Sequence, residues 1–60
     1  MDQRIIKTKK ALCNALGRLL QEKAFNRISV SDIVIEAGIT RKTFYNHYQD
    51  KIEMVQDYQM

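Results

Sequence analysis

Apolar residues in the first third of the chain recur at the spacing of an amphipathic α-helix. At about 100° per residue they fall on one stripe, and lysine, arginine and amide side chains lie opposite. The apolar stripe consists of Ile5, Leu12, Leu16, Leu19 and Leu20. This periodicity predicts a long helix over about residues 4–23, half-buried against a core. Gly17 lies on the polar side of this helix, where glycine costs up to about 1 kcal/mol relative to alanine. The apolar pattern gives no reason for a glycine at this position.

A second apolar segment carries helix start and stop signals. Ser29 is the predicted N-cap, and Asp32 is its capping-box partner. Ile28 and Ile33 are placed to form a hydrophobic staple across the helix start. Gly38 ends the helix, because glycine adopts the left-handed conformation that a helix end often requires. The predicted inward positions are Val30, Ile33, Val34 and Ala37.

Two further short helices are predicted after this glycine. Thr40 suits the N-cap of a third helix over about residues 41–48. Phe44 and Tyr48 lie one helical turn apart and share a face, so we expect them to anchor this helix in the core. Asp50 suits the N-cap of a fourth helix, which meets no stop signal before the sequence ends. We therefore expect the natural protein to be longer.

The pattern as a whole predicts one all-α domain over residues 1–60, a small helical bundle whose second and third helices form a helix-turn-helix. No internal repeat, low-complexity tract or Pro/Gly/Ser-rich linker divides the sequence. A domain of this size buries only about 60% of the surface of its unfolded chain. Its core is marginal, so we expect a partner subunit or a companion domain.

Composition and charge narrow the choice of partner and compartment. A net charge of +3 and an isoelectric point near 9.3 favour a polyanionic partner. The single cysteine forms no internal disulfide, which fits a reducing cytosol. No uncharged apolar run approaches the roughly 18 residues of a membrane span, and the N-terminus lacks the apolar stretch of a secretory signal. We expect a cytoplasmic protein without membrane association.

Residues that carry catalysis are scarce. One histidine, one cysteine and scattered carboxylates provide no metal-ligand set, no nucleophile–base pair and no phosphate-binding loop. The sequence therefore predicts no enzymatic activity, no metal and no cofactor.

The most specific sequence signal is the block from Ile39 to Lys51, which reads ITRKTFYNHYQDK. It resembles the third helix and the start of the fourth in the DNA-binding domain of the tetracycline-repressor (TetR/AcrR) family of bacterial transcription regulators. The resemblance spans about residues 7–55 and departs from the family pattern at Ala24, where glycine is frequent, and at two positions of the second helix. Upstream core positions of the family are matched by Ala15, Leu16, Leu19, Leu20, Phe25, Val30, Ile33, Ala37 and Gly38.

The resemblance implies a homeodomain-like fold and a sequence-specific regulator, more often a repressor than an activator. Such a regulator reads a palindromic operator in double-stranded DNA with its third helix. The resemblance also implies a homodimer in the full-length protein, and a small-molecule effector bound by a C-terminal helical domain. The 60 residues contain none of that second domain.

The outward side of the third helix carries the residues expected to read bases. With Phe44 at 0° on a helical wheel, Lys42 and Asn46 lie at about 160° and about 200°, facing away from the core. Arginine and lysine suit guanine edges, and asparagine suits adenine. With the resemblance, this predicts base contacts from Arg41, Lys42, Thr43 and Asn46. A merely solvated helix face is the alternative.

A second set of residues is expected to contact phosphates. The resemblance assigns Tyr45, His47 and Lys51 to the family's phosphate clamp, and Lys51 also begins the fourth helix, where free N–H groups favour phosphate. Half-buried packing is the alternative for Tyr45, and an ordinary surface role is the alternative for His47. Thr40 and Ser29, at the starts of the third and second helices, are further candidates, although capping alone accounts for Ser29.

The competing function is a protein-interaction module, or an inhibitor that heterodimerises with full-length regulators. An exposed Ile35 and the apolar face of the fourth helix suit that role. A DNA titration separates the two, because only a DNA reader binds duplex at low salt with an affinity that falls as salt rises.

Overall fold

Helices account for most of the chain, as the sequence predicts. The computed structural model describes residues 3–58, and these form four α-helices and one 3-10 turn. The all-α prediction is confirmed, while the predicted end of the fourth helix lies outside the described residues. No helix in this range combines the length and hydrophobicity needed to cross a bilayer. In chain order the elements are α1 (Gln3–Leu20), the 3-10 turn (Phe25–Arg27), α2 (Val30–Ala37), α3 (Arg41–His47) and α4 (Lys51–Tyr58).

The first helix ends earlier than its periodicity predicts. α1 stops at Leu20, where the N–H groups of Glu22 and Lys23 both donate to the Leu19 carbonyl, at 2.9 and 3.0 Å. The prediction that Ile5 and Leu20 lie in the core is wrong, since they are 40% and 36% exposed. α1 has 18 residues, whereas α2 and α4 have 8 each, so we attribute this exposure to the ends of α1 extending past the helices that cover its middle.

A single apolar core joins all four helices. α1 and α2 share the most extensive contact, and α3 packs against α2. Burying a large apolar side chain stabilises the fold by about 1.5–3 kcal/mol, so this small set supplies most of the driving force for folding. The buried members are Leu12, Leu16, Leu19, Ile28, Ile33, Val34, Phe44, Tyr48 and Met54.

α2 and α3 meet at a glycine corner. The Ser29 hydroxyl accepts the N–H of Asp32 at 3.1 Å, and the Asp32 carboxylate accepts the N–H of Ser29 at 3.0 Å, which confirms the predicted capping box. Gly38 has a φ of 74°, the left-handed conformation that favours glycine. The N–H of Ile39 then donates to the Val34 carbonyl at 3.0 Å. This closed turn sets the direction in which α3 leaves α2.

The start of α4 is capped from the loop that follows α3. The Asp50 carboxylate accepts the N–H of Glu53 at 2.9 Å, as the sequence predicts for an N-cap. The Glu53 carboxylate accepts the N–H of Gln49 at 3.4 Å, one residue before the cap. The sequence places Glu53 to complete a capping box with Asp50, but its carboxylate bonds the residue before the cap, unlike the reciprocal box at α2.

Candidate nucleic-acid interface

Two buried aromatic rings determine which side of α3 faces the core. Phe44 is fully buried, and Tyr48, the C-cap of α3, is 4% exposed. Their ring centroids lie 5.7 Å apart, so they form a continuous aromatic contact beneath the helix. This confirms the inward orientation predicted for both rings. Residues on the opposite side of α3 must therefore project away from the core.

The outward side of α3 is polar and positively charged. Lys42 and Asn46 are exposed one helical turn apart, and neither side chain is hydrogen-bonded within residues 3–58. Arg41 is also exposed, Thr43 is half-buried, and Tyr45 is 52% exposed. Of the four predicted base-reading residues, Lys42 and Asn46 are therefore the two that are exposed without an internal hydrogen bond among the described residues.

The cap at the start of α3 occupies two of the predicted DNA-contacting hydroxyls. The Thr40 hydroxyl oxygen accepts the N–H of Thr43 at 3.1 Å, the contact expected of an N-cap. The two threonine hydroxyl oxygens lie 3.0 Å apart and share a second hydrogen bond. A hydroxyl has one donor and two acceptor positions. Capacity for a further partner therefore remains, and Thr40, which is exposed, offers it more openly than Thr43.

Arg41 reaches back from α3 to α2. Its guanidinium Nη2 donates a hydrogen bond to the hydroxyl of Ser31, ten residues earlier. This contact joins the first turns of the two helices that make the helix-turn-helix. No periodic pattern links the two residues, so sequence reasoning missed the pairing. A guanidinium has five N–H donors in a planar fork, and those not bonded to Ser31 remain at an exposed position.

Tyr45 and His47 each rest on an aromatic neighbour. The rings of Tyr45 and Phe44 lie 5.2 Å apart and nearly perpendicular, at 84°. The ring of His47 lies 6.4 Å from that of Tyr48, and His47 is half-buried. Both predicted phosphate contacts are therefore held in place by packing and remain partly open to solvent.

Ser29 is occupied by its role at the start of α2. Hydrogen bonds from the Ser29 N–H, and then from the Lys23 ammonium at 3.1 Å, stabilise the Asp32 carboxylate and hold the pKa of Asp32 below its ordinary value. The capping box uses two backbone N–H groups at this helix start, that of Ser29, which donates to the Asp32 carboxylate, and that of Asp32, which donates to the Ser29 hydroxyl. Capping accounts for the geometry of Ser29, and its predicted phosphate contact stays a prediction.

Lys51 turns toward the protein. Its ammonium donates to the backbone carbonyls of Phe25, at 3.0 Å, and Ile28, at 2.7 Å. The same nitrogen lies 4.7 Å from the centre of the Phe25 ring. The residue is half-buried. The sequence predicts a phosphate contact for this lysine, whereas its contacts within residues 3–58 are with backbone and an aromatic ring.

A polar contact that the sequence does not signal ties the end of α3 to α1 and α4. The Tyr48 hydroxyl donates to the Asp57 carboxylate at 2.8 Å. The Lys9 ammonium lies 3.5 Å from the same carboxylate and 5.4 Å from the centre of the Tyr48 ring. Burial, and then the hydrogen bond to Asp57, raise the pKa of Tyr48 above its ordinary value. The C-terminal end of α3 is therefore fixed by two other helices.

The geometry defines a class of protein: a helix-turn-helix domain whose second helix presents a cationic, amide-bearing side, as in domains that enter a DNA groove. Residues 12–58 match the family model described as bacterial regulatory proteins, tetR family. The chain therefore belongs to the TetR family, as the block around α3 indicates. The family and the names of its relatives are those of DNA-binding, helix-turn-helix transcription regulators.

Three bacterial relatives align with most of the chain. It is 44% identical over 48 residues to the HTH-type dhaKLM operon transcriptional activator DhaS of Lactococcus lactis. That alignment covers 80% of this chain and 26% of DhaS. It is 40% identical over 57 residues to YxbF, an uncharacterized HTH-type transcriptional regulator of Bacillus subtilis. That alignment covers 93% of this chain and 15% of YxbF. It is 39% identical over 49 residues to an uncharacterized HTH-type transcriptional regulator of Haemophilus influenzae. That alignment covers 80% of this chain and 24% of that protein.

The chain thus spans about a quarter or less of the length of these relatives. No solved structure matches it.

Proposed function

We propose that this chain is the DNA-reading head of a sequence-specific transcription regulator. α3 enters the major groove, and two heads bind the two halves of a palindromic operator. The observation that carries the proposal is the outward side of α3, where Lys42 and Asn46 are exposed while Phe44 holds the other side in the core. Membership of a family of transcription regulators supports the same function.

Four residues of α3 read base edges in this proposal. Arg41 and Lys42 donate to guanine, and Asn46 forms paired hydrogen bonds with adenine. Thr43 contributes mainly its methyl group, which packs on a thymine methyl, because its hydroxyl is bonded to Thr40. Each bidentate contact of this kind discriminates against a wrong base by about 1–3 kcal/mol.

A surrounding set fixes the register of the head on the duplex. Tyr45 and His47 contact phosphates at the edges of the groove, where their rings are held by packing against Phe44 and Tyr48. The Thr40 hydroxyl, and secondarily that of Ser29, contact phosphates at the starts of α3 and α2. These groups contribute affinity without reading sequence.

The regulatory outcome depends on where the operator lies. A dimer bound across a promoter excludes the polymerase, so we propose repression as the outcome at such a site. The relative DhaS is named as an activator, which makes an operator upstream of a promoter the second arrangement to test. A reporter with the same operator at either position distinguishes repression from activation.

The full-length protein acts in this proposal as a cytoplasmic homodimer with a small-molecule effector. The relatives are about four or more times longer than the aligned segment, which leaves room for a dimerisation and effector-binding domain. An effector that changes the separation of the two heads alters operator affinity without touching α3. That change is a coupling free energy between two distinct sites.

Selection of binding sites from random duplexes tests the function directly. The expected result is an enriched half-site, arranged as a palindrome when the full-length protein is used. The logarithm of affinity should fall by about 0.9 per phosphate neutralised for each unit rise in the logarithm of salt concentration. If no duplex is bound at low salt, the proposal fails. A protein-interaction module is then the better reading, because Ile35 is 78% exposed on α2.

Two matched asparagine variants test the role of α3. Asn46→Ala should relax discrimination at one base pair by about 1–3 kcal/mol, because the paired contact to adenine is lost. Asn14→Ala removes an exposed amide from α1 and should leave discrimination unchanged. Competition between the selected site and single-base variants measures both. Equal effects from the two substitutions would remove α3 from base readout.

A further inference from the structure

We propose that Ser31 is a positioning residue, which orients the guanidinium of Arg41 for base reading and affects DNA specificity through that side chain. The inference rests on the proposed function, because the orientation of Arg41 matters only if α3 reads DNA. Ser31 lies on α2 and is not among the residues to which that function gives a DNA contact.

The contact between Arg41 and Ser31 joins the starts of two helices. Ser31 is the second residue of α2, and Arg41 is the first residue of α3. The guanidinium Nη2 donates to the Ser31 hydroxyl, so the arginine side chain is directed from α3 toward the first turn of α2. Each of these turns is held by its own N-cap, Ser29 at α2 and Thr40 at α3. Both ends of the contact therefore start from backbone positions that are fixed locally.

The contact holds the guanidinium and leaves its charge available. Ser31 is the one hydrogen-bonding partner of the Arg41 side chain within residues 3–58, and no carboxylate in that range pairs with it. A neutral hydroxyl orients the group without neutralising it, so the positive charge stays available to a polyanion. One of the five N–H donors of a guanidinium suffices for this bond, and a bidentate contact to guanine needs two others.

An arginine that is ordered in advance binds DNA at a lower entropic cost. Immobilising one long, flexible side chain at an interface reduces affinity by about twofold to tenfold. A side chain that already points in one direction avoids part of that loss. Of the four base-reading residues, Arg41 is the only one whose side chain is hydrogen-bonded to another helix within residues 3–58. α2 thus prepares one particular base contact.

A direct contact between the Ser31 hydroxyl and DNA is the competing explanation. The two roles differ in how the effects of two substitutions combine. If Ser31 acts through Arg41, removing the hydroxyl has no effect once the guanidinium is gone. If Ser31 contacts DNA itself, the loss persists in that background and the two effects add.

The test uses threonine and valine as a matched pair at position 31. Both side chains are β-branched, and only threonine has a hydroxyl. We expect Ser31→Thr to bind the selected site like the unsubstituted protein, and Ser31→Val to bind it about threefold to tenfold more weakly. Ser31→Val should relax discrimination at the base pair that Arg41→Ala identifies and leave it unchanged at the pair that Asn46→Ala identifies. Relaxation at both base pairs would indicate a general disturbance of α2 and would overturn the proposal.

The double substitution decides between the two roles of Ser31. Ser31→Val in an Arg41→Ala background should bind the selected site as well as Arg41→Ala alone. A further loss as large as that of Ser31→Val by itself would show a direct contact between Ser31 and DNA. Equal binding by Ser31→Thr and Ser31→Val would show that the hydroxyl has no role. Either result would overturn the proposal.

A measurement on the unsubstituted protein covers the case in which a variant does not fold. Nitrogen-15 relaxation of the arginine Nε atoms should show Arg41 to be more ordered than Arg27, an exposed arginine whose side chain has no partner within residues 3–58. Equal mobility of the two side chains would overturn the proposal. If the protein binds no duplex at all, the proposed function fails, while this comparison still tests whether Ser31 holds Arg41.

Discussion

At the scale of single residues, Asp32 makes the free energy of unfolding depend on pH in the acidic range. The Ser29 N–H, and then Lys23, hold the pKa of Asp32 below its ordinary value. Between that lowered pKa and the unfolded value of about 3.9, the folded protein binds fewer protons than the unfolded chain. The stability contributed by this carboxylate is therefore complete above the unfolded pKa and is lost as the pH falls through the window. Thermal unfolding from about pH 2 to about pH 7 should show this acid loss.

Two substitutions assign the acid transition to this residue. Asp32→Asn removes the titrating group and should flatten the pH dependence, and Lys23→Gln removes the second contact and should flatten it only in part. An acid transition of the same size in Asp32→Asn and the unsubstituted protein would contradict the assignment.

Tyr48 combines a core ring with a polar contact. Tyr48→Phe keeps the ring against Phe44 and removes the donor to Asp57, so we expect the free energy of unfolding to fall by about 1 kcal/mol. The Asp57 side chain is 44% exposed, and water that replaces the lost partner limits the effect. Urea denaturation at neutral pH measures the difference.

The same variant has an alkaline signature. Burial, and then Asp57, raise the pKa of Tyr48 above its ordinary value. The protonated hydroxyl therefore stabilises the folded protein at pH values below about 10, the pKa of tyrosine in the unfolded chain. Above that value ionisation favours the unfolded chain, and the advantage of the unsubstituted protein over Tyr48→Phe should shrink. A difference between the two proteins that stays constant through alkaline pH would argue against a buried, bonded phenol.

Contacts between near neighbours in sequence were predictable, and contacts of long side chains were not. The cap at Ser29 and the burial of Phe44 follow from spacings of three and four residues, which helix geometry sets locally. Lys51 and Arg41 have flexible side chains whose partners lie 10 to 26 residues away. Their direction depends on which carbonyl or hydroxyl the tertiary fold brings near, and no periodic pattern carries that information.

At the scale of elements, the two glycines should respond to alanine with opposite signs. Gly38→Ala places a side chain on a residue with φ of 74°, which costs about 1–2 kcal/mol although no atom lies within 4 Å of the added carbon. Gly17→Ala lies within α1, where alanine is favoured by up to about 1 kcal/mol. Its added carbon would meet the Tyr58 hydroxyl at 3.3 Å, the far end of a partly exposed side chain that is able to move slightly. We expect a small net gain for Gly17→Ala.

Chemical denaturation of both variants checks the pair. Gly38→Asn is a matched control, since asparagine tolerates the left-handed conformation better than alanine. It should lose less stability than Gly38→Ala. A loss of stability in Gly17→Ala would mean that the contact between α1 and α4 at Tyr58 is too tight to adjust.

The order of the helices was predictable, and the length of α1 and the reason for Gly17 were not. Caps and the glycine corner mark the starts and ends of α2 and α3 in the sequence itself. The end of α1 depends on how the residues after Leu20 turn toward the 3-10 segment. The apolar periodicity alone does not mark that turn, so it predicts a helix that is too long. Gly17 lies where the ring of Tyr58 on α4 approaches α1, a contact between residues 41 apart in sequence.

At the scale of the whole molecule, one head has few contacts with which to bind DNA. α3 has seven residues, and in the proposed function it reaches only one half-site. Joining two heads converts the second binding event into an intramolecular one, with a gain of about 10²–10⁴ in affinity if the linker spans the sites. We predict this gain for two copies connected by a flexible Gly/Ser linker, measured on a palindrome of the selected half-site against a duplex with one half-site.

The spacing of the half-sites provides the decisive control. Two heads that each place α3 in the major groove need half-sites on the same face of the duplex, separated by about one helical turn or a multiple of it. Inserting about half a turn between the half-sites should remove most of the gain, and a full turn should restore part of it as far as the linker reaches. The same linked pair with Asn46→Ala in one copy should lose discrimination at one half-site only. A gain that ignored half-site spacing would mean that the second head binds phosphates without reading sequence, and that α3 does not direct the protein to its operator.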